Sequence, residues 1–502
     1  MSPDRLPLWD LIEWRAARTP DDVMVVDEHD HTVTFGAYRD RCERVAAAFA
    51  ATGVGPGTPV AWMLPTWIEA LVLAGALARL GALQVPVLPI LRERELGFIL
   101  GQSGARHLVV PGEWRGFDYA AMAKALDVDV VTVVDRDLPE AEPAGLPVWT
   151  APEDDPLRWV FYTSGTTANP KGVKHTDRTV AAAAHRLNLR FAMTADDRNA
   201  LVFPVTHIGG ISWLMGGLLA GYRHIAVEAF DPAPSCVVLR RNGMTVAGAG
   251  PVFWMAYVAE QRRTPDEVAF PDLRALVGGG AAKPPTLDDE VRQLLRVPLV
   301  TGYGSSECPG VSHSGVWDTA DDLRADGHAM DDCELRIVDE DGRDCPPGVA
   351  GEIVVKGPML FLGYLDPDED DGIDADGWFH TSDVGTLDER GFLRVTGRLK
   401  DIIIRKGENI SAKEVEDALH RHPAVLDAAA IALPDFERGE LCCAVVVLHA
   451  GASLTLAELG EHCAGLGLAR QKVPERLEVL EVLPRNATGK VLKPDLVARF
   501  GR

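Results

Sequence analysis

The chain has 502 residues, is 47% hydrophobic and 25% charged, and carries a formal net charge of −24 at pH 7. That length and apolar content predict a multidomain globular protein with more than one core. The negative balance excludes broad attraction to nucleic acid or anionic membrane, so a polyanionic ligand would need a local basic site.

The opening residues lack the apolar core and small-residue cleavage site of a signal peptide. The eight cysteines form no CxxC pair, and their scatter suggests neither a disulfide framework nor a zinc site. A cytoplasmic protein with reduced thiols is the expectation. Over 38–51 the apolar side chains Tyr38, Cys42, Val45 and Phe49 keep helical spacing, with Thr34 a candidate cap and Gly53 a stop. The greasiest stretch, 59–91, is broken by Pro65, Glu69, Arg79, Pro86 and Pro89, so it reads as strand, buried helix, strand, with no membrane span. Short apolar runs alternate with helical patterns to about residue 360, and 158–162 predicts a strand running into a polar loop. Residues 366–372, Asp-Pro-Asp-Glu-Asp-Asp-Gly, would place Pro367 where a calcium loop needs its first carboxylate, so they read as a solvated acidic loop. After Gly397 the pattern restarts: a helix over 412–420, strands over 425–433 and 442–448, a helix over 454–466 and a strand over 476–483. The predicted fold class is α/β, a large multi-sheet N-terminal domain (1–399) joined by a hinge to a small α+β C-terminal domain (400–502).

Residues 163–173 read Thr-Ser-Gly-Thr-Thr-Ala-Asn-Pro-Lys-Gly-Val. Hydroxyls, close-approach glycines and one lysine can wrap phosphate oxygens, although the Walker order is absent because Lys171 follows Pro170. Further motifs follow in order: Pro-Val-Thr-His at 204–207, Gly-Gly-Ala-Ala at 279–282, Gly-Tyr-Gly-Ser-Ser-Glu at 302–307, and Gly-Glu-Ile-Val-Val-Lys-Gly at 351–357. Gly-Trp-Phe-His-Thr-Ser-Asp occupies 377–383, Gly-Arg-Leu-Lys-Asp 397–401, and Pro-Arg-Asn-Ala-Thr-Gly-Lys 484–490. The set resembles the adenylate-forming superfamily over nearly the whole chain, in its acyl- and aryl-CoA ligase branch. Two residues depart from the pattern: Ala168 and Ser382 stand where the family usually carries glycine.

The resemblance implies an AMP-forming acid–CoA ligase with ATP and coenzyme A as co-substrates and Mg2+ as cofactor. It gives Lys490, Glu307 and His207 catalytic roles, with Glu307 the metal ligand and His207 a gate beside the substrate carboxylate. Nucleotide contacts fall on Thr163, Ser164, Gly165, Thr166, Thr167, Lys171, Gly280, Ala281, Tyr303, Ser306, Asp383 and Arg398. Among them Tyr303 would stack on adenine, and Asp383 would accept from the ribose hydroxyls. Lys400 matches the hinge, and Lys406 and Gly407 fall beside the coenzyme A path. The basic excess of 398–413 suits the phosphates of coenzyme A and equally a solvated basic face.

The acid is expected among His207, Gly209, Trp213, Gly302 and Gly310, with Gly209, Gly210 and Gly310 leaving room. No pocket cation awaits a second acid group, and no early aspartate awaits an amino group. These features favour an apolar monocarboxylate: medium-chain, alicyclic or aromatic. A stand-alone ligase loading a carrier protein's pantetheine is the alternative, with a luciferase-type oxygenase and a non-catalytic sensor behind it. Partners are small molecules, with no nucleic acid, and a homodimer is left open.

Overall fold

The computed structural model describes residues 3–163, 170–281, 283–284, 286–405, 408–436, 439–486 and 489–501, with side chains omitted at 400, 408 and 409. Two large sheets flank a layer of helices. The nine-stranded sheet runs, in spatial order, His328–Ala329, Ser312–His313, Leu299–Tyr303, Ala275–Gly279, Val246–Ala249, Arg198–Leu201, Arg223–Ala226, Val23–Asp27 and Thr32–Thr34. Its neighbours from Leu299–Tyr303 through Val23–Asp27 are parallel. The six-stranded sheet runs Lys171–His175, Trp159–Thr163, Leu83–Pro86, Pro59–Trp62, His107–Pro111 and Val130–Val134.

Between the sheets lie the helices Phe35–Ala51, Ile68–Leu80, Asp177–Arg190 and Ile208–Ala220, whose apolar side chains join those of both sheets in one core. A helix packed on all sides must be apolar all round. Every residue of Ile68–Leu80 is buried, and its two charges are paired, Arg41 with Glu69 at 3.2 Å and Arg79 with Glu43 at 3.7 Å. The predicted cap of the neighbouring helix is present: the Thr34 side chain accepts from the Ala37 N–H at 3.2 Å, and Gly53 follows the last turn at φ +91°.

A four-stranded antiparallel sheet, Glu334–Val338, Gly351–Lys356, Phe379–Leu387 and Leu393–Arg398, packs against Tyr303, Cys308 and Val173. Three residues, Leu399–Asp401, then lead into a small C-terminal domain. Its five-stranded sheet buries one face under the helices Ala412–His420 and Leu456–Gly465 and the other under Lys493–Phe500. The molecule is thus a mixed α/β protein with a large N-terminal and a small C-terminal domain. No helix among the described residues is long and apolar enough to cross a membrane.

Candidate active site

The parallel strands of the nine-stranded sheet end on one side, and ligands of open α/β sheets gather outside such carboxyl ends. There Val246–Ala249 runs into Gly250, Ala275–Gly279 into Gly280, and Leu299–Tyr303 into the Gly304-Ser305-Ser306-Glu307 turn. These turns, the four-stranded sheet and the C-terminal domain enclose a cleft of about 1890 Å³.

Of the residues expected from sequence, Thr163, Lys171, His207, Gly209, Trp213, Gly280, Ala281, Gly302, Tyr303, Ser306, Glu307, Gly310, Asp383, Arg398 and Lys490 line this one cleft. Ser164, Gly165, Thr166 and Thr167 lie outside the described residues, as do Ala168, Ala282, Lys406 and Gly407. The hairpin that brackets the expected phosphate loop is formed, with Thr163 opposite Lys171. Lys400 lies in the Leu399–Asp401 turn between the last strand of the four-stranded sheet and the first of the C-terminal sheet.

One end of the cleft is polar. The Tyr303 hydroxyl donates to Asp383 Oδ2 at 2.6 Å, while Arg398 Nε donates to Asp383 Oδ1. Burial and the Asp383 carboxylate raise the Tyr303 pKa well above a phenol's ordinary value, so it stays a donor. Asp383, expected to accept from ribose hydroxyls, already serves two protein donors. Ser382 takes φ +58°, a left-handed conformation that explains why glycine is usual there, and its N–H donates to Glu352 at 3.0 Å. Gly280 has φ +85°, and a Cβ there would meet nothing within 4 Å, so it borders open space.

Glu307 Oε1 accepts from the Tyr364 hydroxyl at 2.9 Å. The backbone of this turn is pinned as well: the Glu307 carbonyl accepts from the Phe361 N–H at 2.9 Å, and the Ser306 carbonyl from His175 Nε2 at 2.8 Å. That bond fixes the proton of His175 on Nε2, because a carbonyl cannot donate, and leaves Nδ1 to accept from Thr179 at 2.9 Å. Burial pushes the His175 pKa down to about 4, so the ring is neutral.

The acidic loop is exposed over 367–370, as expected, and within it Glu369 pairs with Lys171, whose ammonium also lies 4.8 Å from the Tyr364 ring. A lysine expected to meet phosphate is thus held by a carboxylate, since a cation in an open cleft draws the nearest anion. The basic excess of 398–413 is likewise paired off: Arg398 with Asp383, Arg405 with Glu475, and Lys413 with Asp417 at 2.9 Å. As a result, at least three of its five cations are neutralised within the chain.

Lys490 reaches the same polar end from the C-terminal domain. Its loop is closed by Asn486, whose side chain accepts from the Lys490 N–H at 2.9 Å, and steadied by an Arg485–Asp427 ion pair at 2.6 Å. Gly489, at φ +84°, lies so near Val252 of the large domain that a Cβ would come within 2.9 Å of Cγ2. Partial desolvation in the cleft, then the Arg398 charge, lower the Lys490 pKa below that of an ordinary lysine, with Asp383 and Asp401 pulling the other way. The ammonium has no hydrogen-bond partner among the described residues.

The other end is apolar and aromatic. His207 caps the helix Ile208–Ala220, its Nδ1 accepting from the Gly209 N–H at 3.1 Å. The proton therefore sits on Nε2, and burial pushes the pKa down to about 4. One and a half turns on, Trp213 packs so tightly on Gly248 that any Cβ there would strike its indole, and it stacks on Phe191 with centroids 5.9 Å apart. The glycines do not all supply room as expected. A Cβ on Gly210 would fall 2.5 Å from Val205 Cα, so that glycine serves close backbone packing and not the pocket. Gly302 makes way for the ring of His313. Gly209 faces Phe203, with a Cβ placed 3.1 Å from that ring, whereas Gly310 is ordinary contact, 3.6 Å from Leu187.

Sequence reasoning missed His175, Phe191, Phe203, Tyr364 and Glu369. It also missed His313, which lines the cleft beside Gly302. Lys283 also borders the cleft, but its ammonium donates to Asp288 at 3.0 Å, Thr301 at 2.9 Å and the Leu323 carbonyl at 3.0 Å. All three of its protons are engaged.

The sequence model described as AMP-binding enzyme matches residues 12–365, and that described as AMP-binding enzyme C-terminal domain matches 414–490. A medium-chain fatty-acid–CoA ligase of Escherichia coli is 31% identical over 98% of this chain and 91% of its own length. A salicyl-AMP ligase / salicyl-S-ArCP synthetase of Mycobacterium tuberculosis is 33% identical over 97% of this chain and 89% of its own. The structure of o-succinylbenzoate coenzyme A synthetase from Bacillus subtilis with ATP and magnesium superposes with a TM-score of 0.86 at 29% identity, covering 97% of this chain and 99% of that one.

Proposed function

The chain belongs to the AMP-binding enzyme family and is an AMP-forming acid–CoA ligase, and from that premise we propose that it activates an apolar, ring-bearing monocarboxylic acid. The observation that carries this reading is the acyl end itself: a slot lined on one side by Trp213 and the Phe191 ring stacked on it, with the neutral His207 at its mouth and Lys283 fully engaged. A flat aromatic wall favours a flat body over a flexible chain, and a second carboxylate would find no unpaired cation there among the described residues.

In the first half-reaction a carboxylate oxygen attacks the α-phosphorus of ATP and pyrophosphate leaves. Two anions must meet, so fixed positive charge and positioning dominate the catalysis. We assign Lys490 to bridge the substrate carboxylate and the α-phosphate, because its ammonium has no hydrogen-bond partner among the described residues and lies at the polar end, near Arg398 and Asp383. The Nε2–H of His207 orients the carboxylate at the junction of the two ends. Lys171 would exchange Glu369 for phosphate oxygens when ATP enters. Tyr303, Asp383 and Arg398 form a preassembled triad for the nucleoside, with Gly280 and Ala281 beside it. No group of three or more His, Cys, Asp or Glu side chains suited to a metal occurs among the described residues. Magnesium would thus be held by the Glu307 carboxylate together with substrate phosphates, offsetting their charge.

In the second half-reaction the thiolate of coenzyme A displaces AMP from the acyl carbon. Lys490 has no part there, and rotation about the Leu399–Asp401 turn, at Lys400, would withdraw it. The test is a mass-spectrometric panel of ring-bearing, straight-chain, dicarboxylic and amino acids with ATP, magnesium and coenzyme A. Ring-bearing acyl-CoA and AMP are expected as the main products. Acyl-adenylate without thioester would move the acceptor to a carrier protein, and a straight-chain preference would overturn the slot argument.

A further inference from the structure

The turn that carries His207 is held from the other large sheet. Between the strand Arg198–Leu201 and the helix Ile208–Ala220 the chain bends at Phe203-Pro204-Val205, and Pro204, which has no N–H, cannot stitch that bend from its centre. Thr66, four residues past the strand Pro59–Trp62 of the six-stranded sheet, closes it instead. Its hydroxyl donates to the Phe203 carbonyl at 3.0 Å and accepts from the Val205 N–H at 3.2 Å. A hydroxyl both donates and accepts, so one side chain satisfies two backbone groups of the same bend. Thr66 is 3% exposed, does not border the cleft and has no part in the mechanism above.

The bend delivers two side chains that do line the cleft, Phe203 and His207. The Pro204 carbonyl accepts from the His207 N–H at 3.1 Å, and the Phe203 ring meets the imidazole edge-on, with centroids 6.3 Å apart at 73°. Val205 is locked against the helix as well: a Cβ on Gly210 would fall 2.5 Å from its Cα, so bend and helix touch at backbone distance. A shift of Val205 therefore moves the helix N-terminus that His207 caps. The anchor is itself fixed. Trp67, the next residue, donates from its indole to Glu228 Oε2 at 2.6 Å, and Glu228 Oε1 accepts from the Trp114 indole at 2.8 Å, which ties the loop bearing Thr66 to the chain leaving the strand Arg223–Ala226.

We infer that Thr66 is a positioning residue for adenylation, whose hydroxyl fixes the bend at Phe203–Val205 so that the Nε2–H of His207 meets the substrate carboxylate. The inference rests on the carboxylate-orienting role proposed above for His207. Valine has nearly the shape of threonine but neither donates nor accepts, so Thr66→Val leaves a buried carbonyl and a buried N–H unmatched, and the bend must shift to find other partners. A misplacement of ~1 Å at the reacting group costs on the order of 100-fold in rate. The nucleoside end, held by Tyr303, Asp383 and Arg398, does not depend on this bend.

The test measures adenylation by acid-dependent pyrophosphate exchange, with benzoate, cyclohexanecarboxylate and octanoate as probe acids. It compares the wild type, Thr66→Val, Thr66→Ser, His207→Ala and the double variant Thr66→Val with His207→Ala, with thermal melts to verify folding. Thr66→Val is expected to lose ~10-fold or more in kcat/KM for the acid while the KM for ATP stays unchanged, and Thr66→Ser to restore the rate. In the His207→Ala background the valine should cost little more, because its effect runs through that imidazole. A KM for ATP that rises as far as the acid term falls, failure of Thr66→Ser to rescue, or losses that add in the double variant would make Thr66 merely structural and overturn the inference. An unchanged Thr66→Val beside an impaired His207→Ala overturns it alone, whereas an unimpaired His207→Ala sinks the role of His207 and this inference with it. If Thr66→Val does not fold, Thr66→Ala, which leaves room for a water at the bend, is held to the same expectations. A wild type that adenylates none of the three acids counts against the proposed function and this inference together.

Discussion

Tyr303 and Asp383, eighty residues apart, are joined by a 2.6 Å hydrogen bond across the polar end of the cleft. The bond ties the last residue of a parallel strand to the four-stranded sheet, and Arg398 on the far carboxylate oxygen completes the link to the strand that precedes the C-terminal domain. Tyr303→Phe keeps the ring and removes the donor, leaving a buried carboxylate one partner short. A stability loss of about 1–3 kcal/mol is expected, read from chemical denaturation. The KM for ATP should rise several-fold while kcat changes less, because the ring face is preserved. An unchanged melting curve would mean that water replaces the phenol at no cost.

Lys490→Ala removes an ammonium that has no hydrogen-bond partner among the described residues. Adenylation should slow by ~100-fold or more, while thioester formation from supplied acyl-adenylate is far less affected. Rapid-quench measurement of the two half-reactions separates these, and equal losses would contradict the assignment. Because the pKa of Lys490 lies below that of an ordinary lysine, the rate of adenylation should fall on the alkaline side before pH 10.5 is reached. Thioester formation should lack that limb.

Glu369→Gln releases Lys171 from its carboxylate partner. The pair is partly exposed, so it is worth at most about 1 kcal/mol, which corresponds to a KM for ATP lowered by up to ~5-fold. Raising ionic strength should shrink the difference between variant and wild type. Steady-state kinetics at two salt concentrations measure both effects, and an unchanged KM would mean that ATP does not compete with Glu369.

The fully buried histidines make folding acid-sensitive. His175 and His224 have pKa values pushed down by burial to about 4, from an ordinary 6.5. Between these limits the unfolded chain binds protons that the folded chain refuses, so stability is complete above pH 6.5 and falls as the pH drops towards 4. The loss is on the order of 3 kcal/mol for each ring. Urea midpoints measured from pH 7 to pH 4.5 should decline steeply. His175→Gln should flatten the slope, and a slope unaltered by that change would place the acid sensitivity elsewhere.

The helix Phe35–Ala51, the buried helix Ile68–Leu80 and the start of Ala412–His420 were legible because periodicity, Thr34 and Gly53 are local signals. The site residues carried by ordered motifs were legible for a different reason: each motif is a turn at a strand end, and turns of this kind converge outside a parallel sheet. What could not be read is what depends on packing between distant segments. Nothing local to Glu369 says that it crosses the cleft to Lys171, since a run of like charges carries no direction. His175 looks like any strand terminus until Ser306 is placed beside it. A glycine misled as well: Gly210 reads as pocket space, yet it admits the neighbouring Val205 backbone.

The measurement that bears most directly on the account is acid-dependent exchange of labelled pyrophosphate into ATP, which reports adenylation whatever the eventual thiol acceptor. Ring-bearing monocarboxylates are predicted to drive exchange well above straight-chain, dicarboxylic and amino acids, and Lys490→Ala to abolish it. Exchange driven only by amino acids, or no exchange with any acid while ATP still binds, would contradict it.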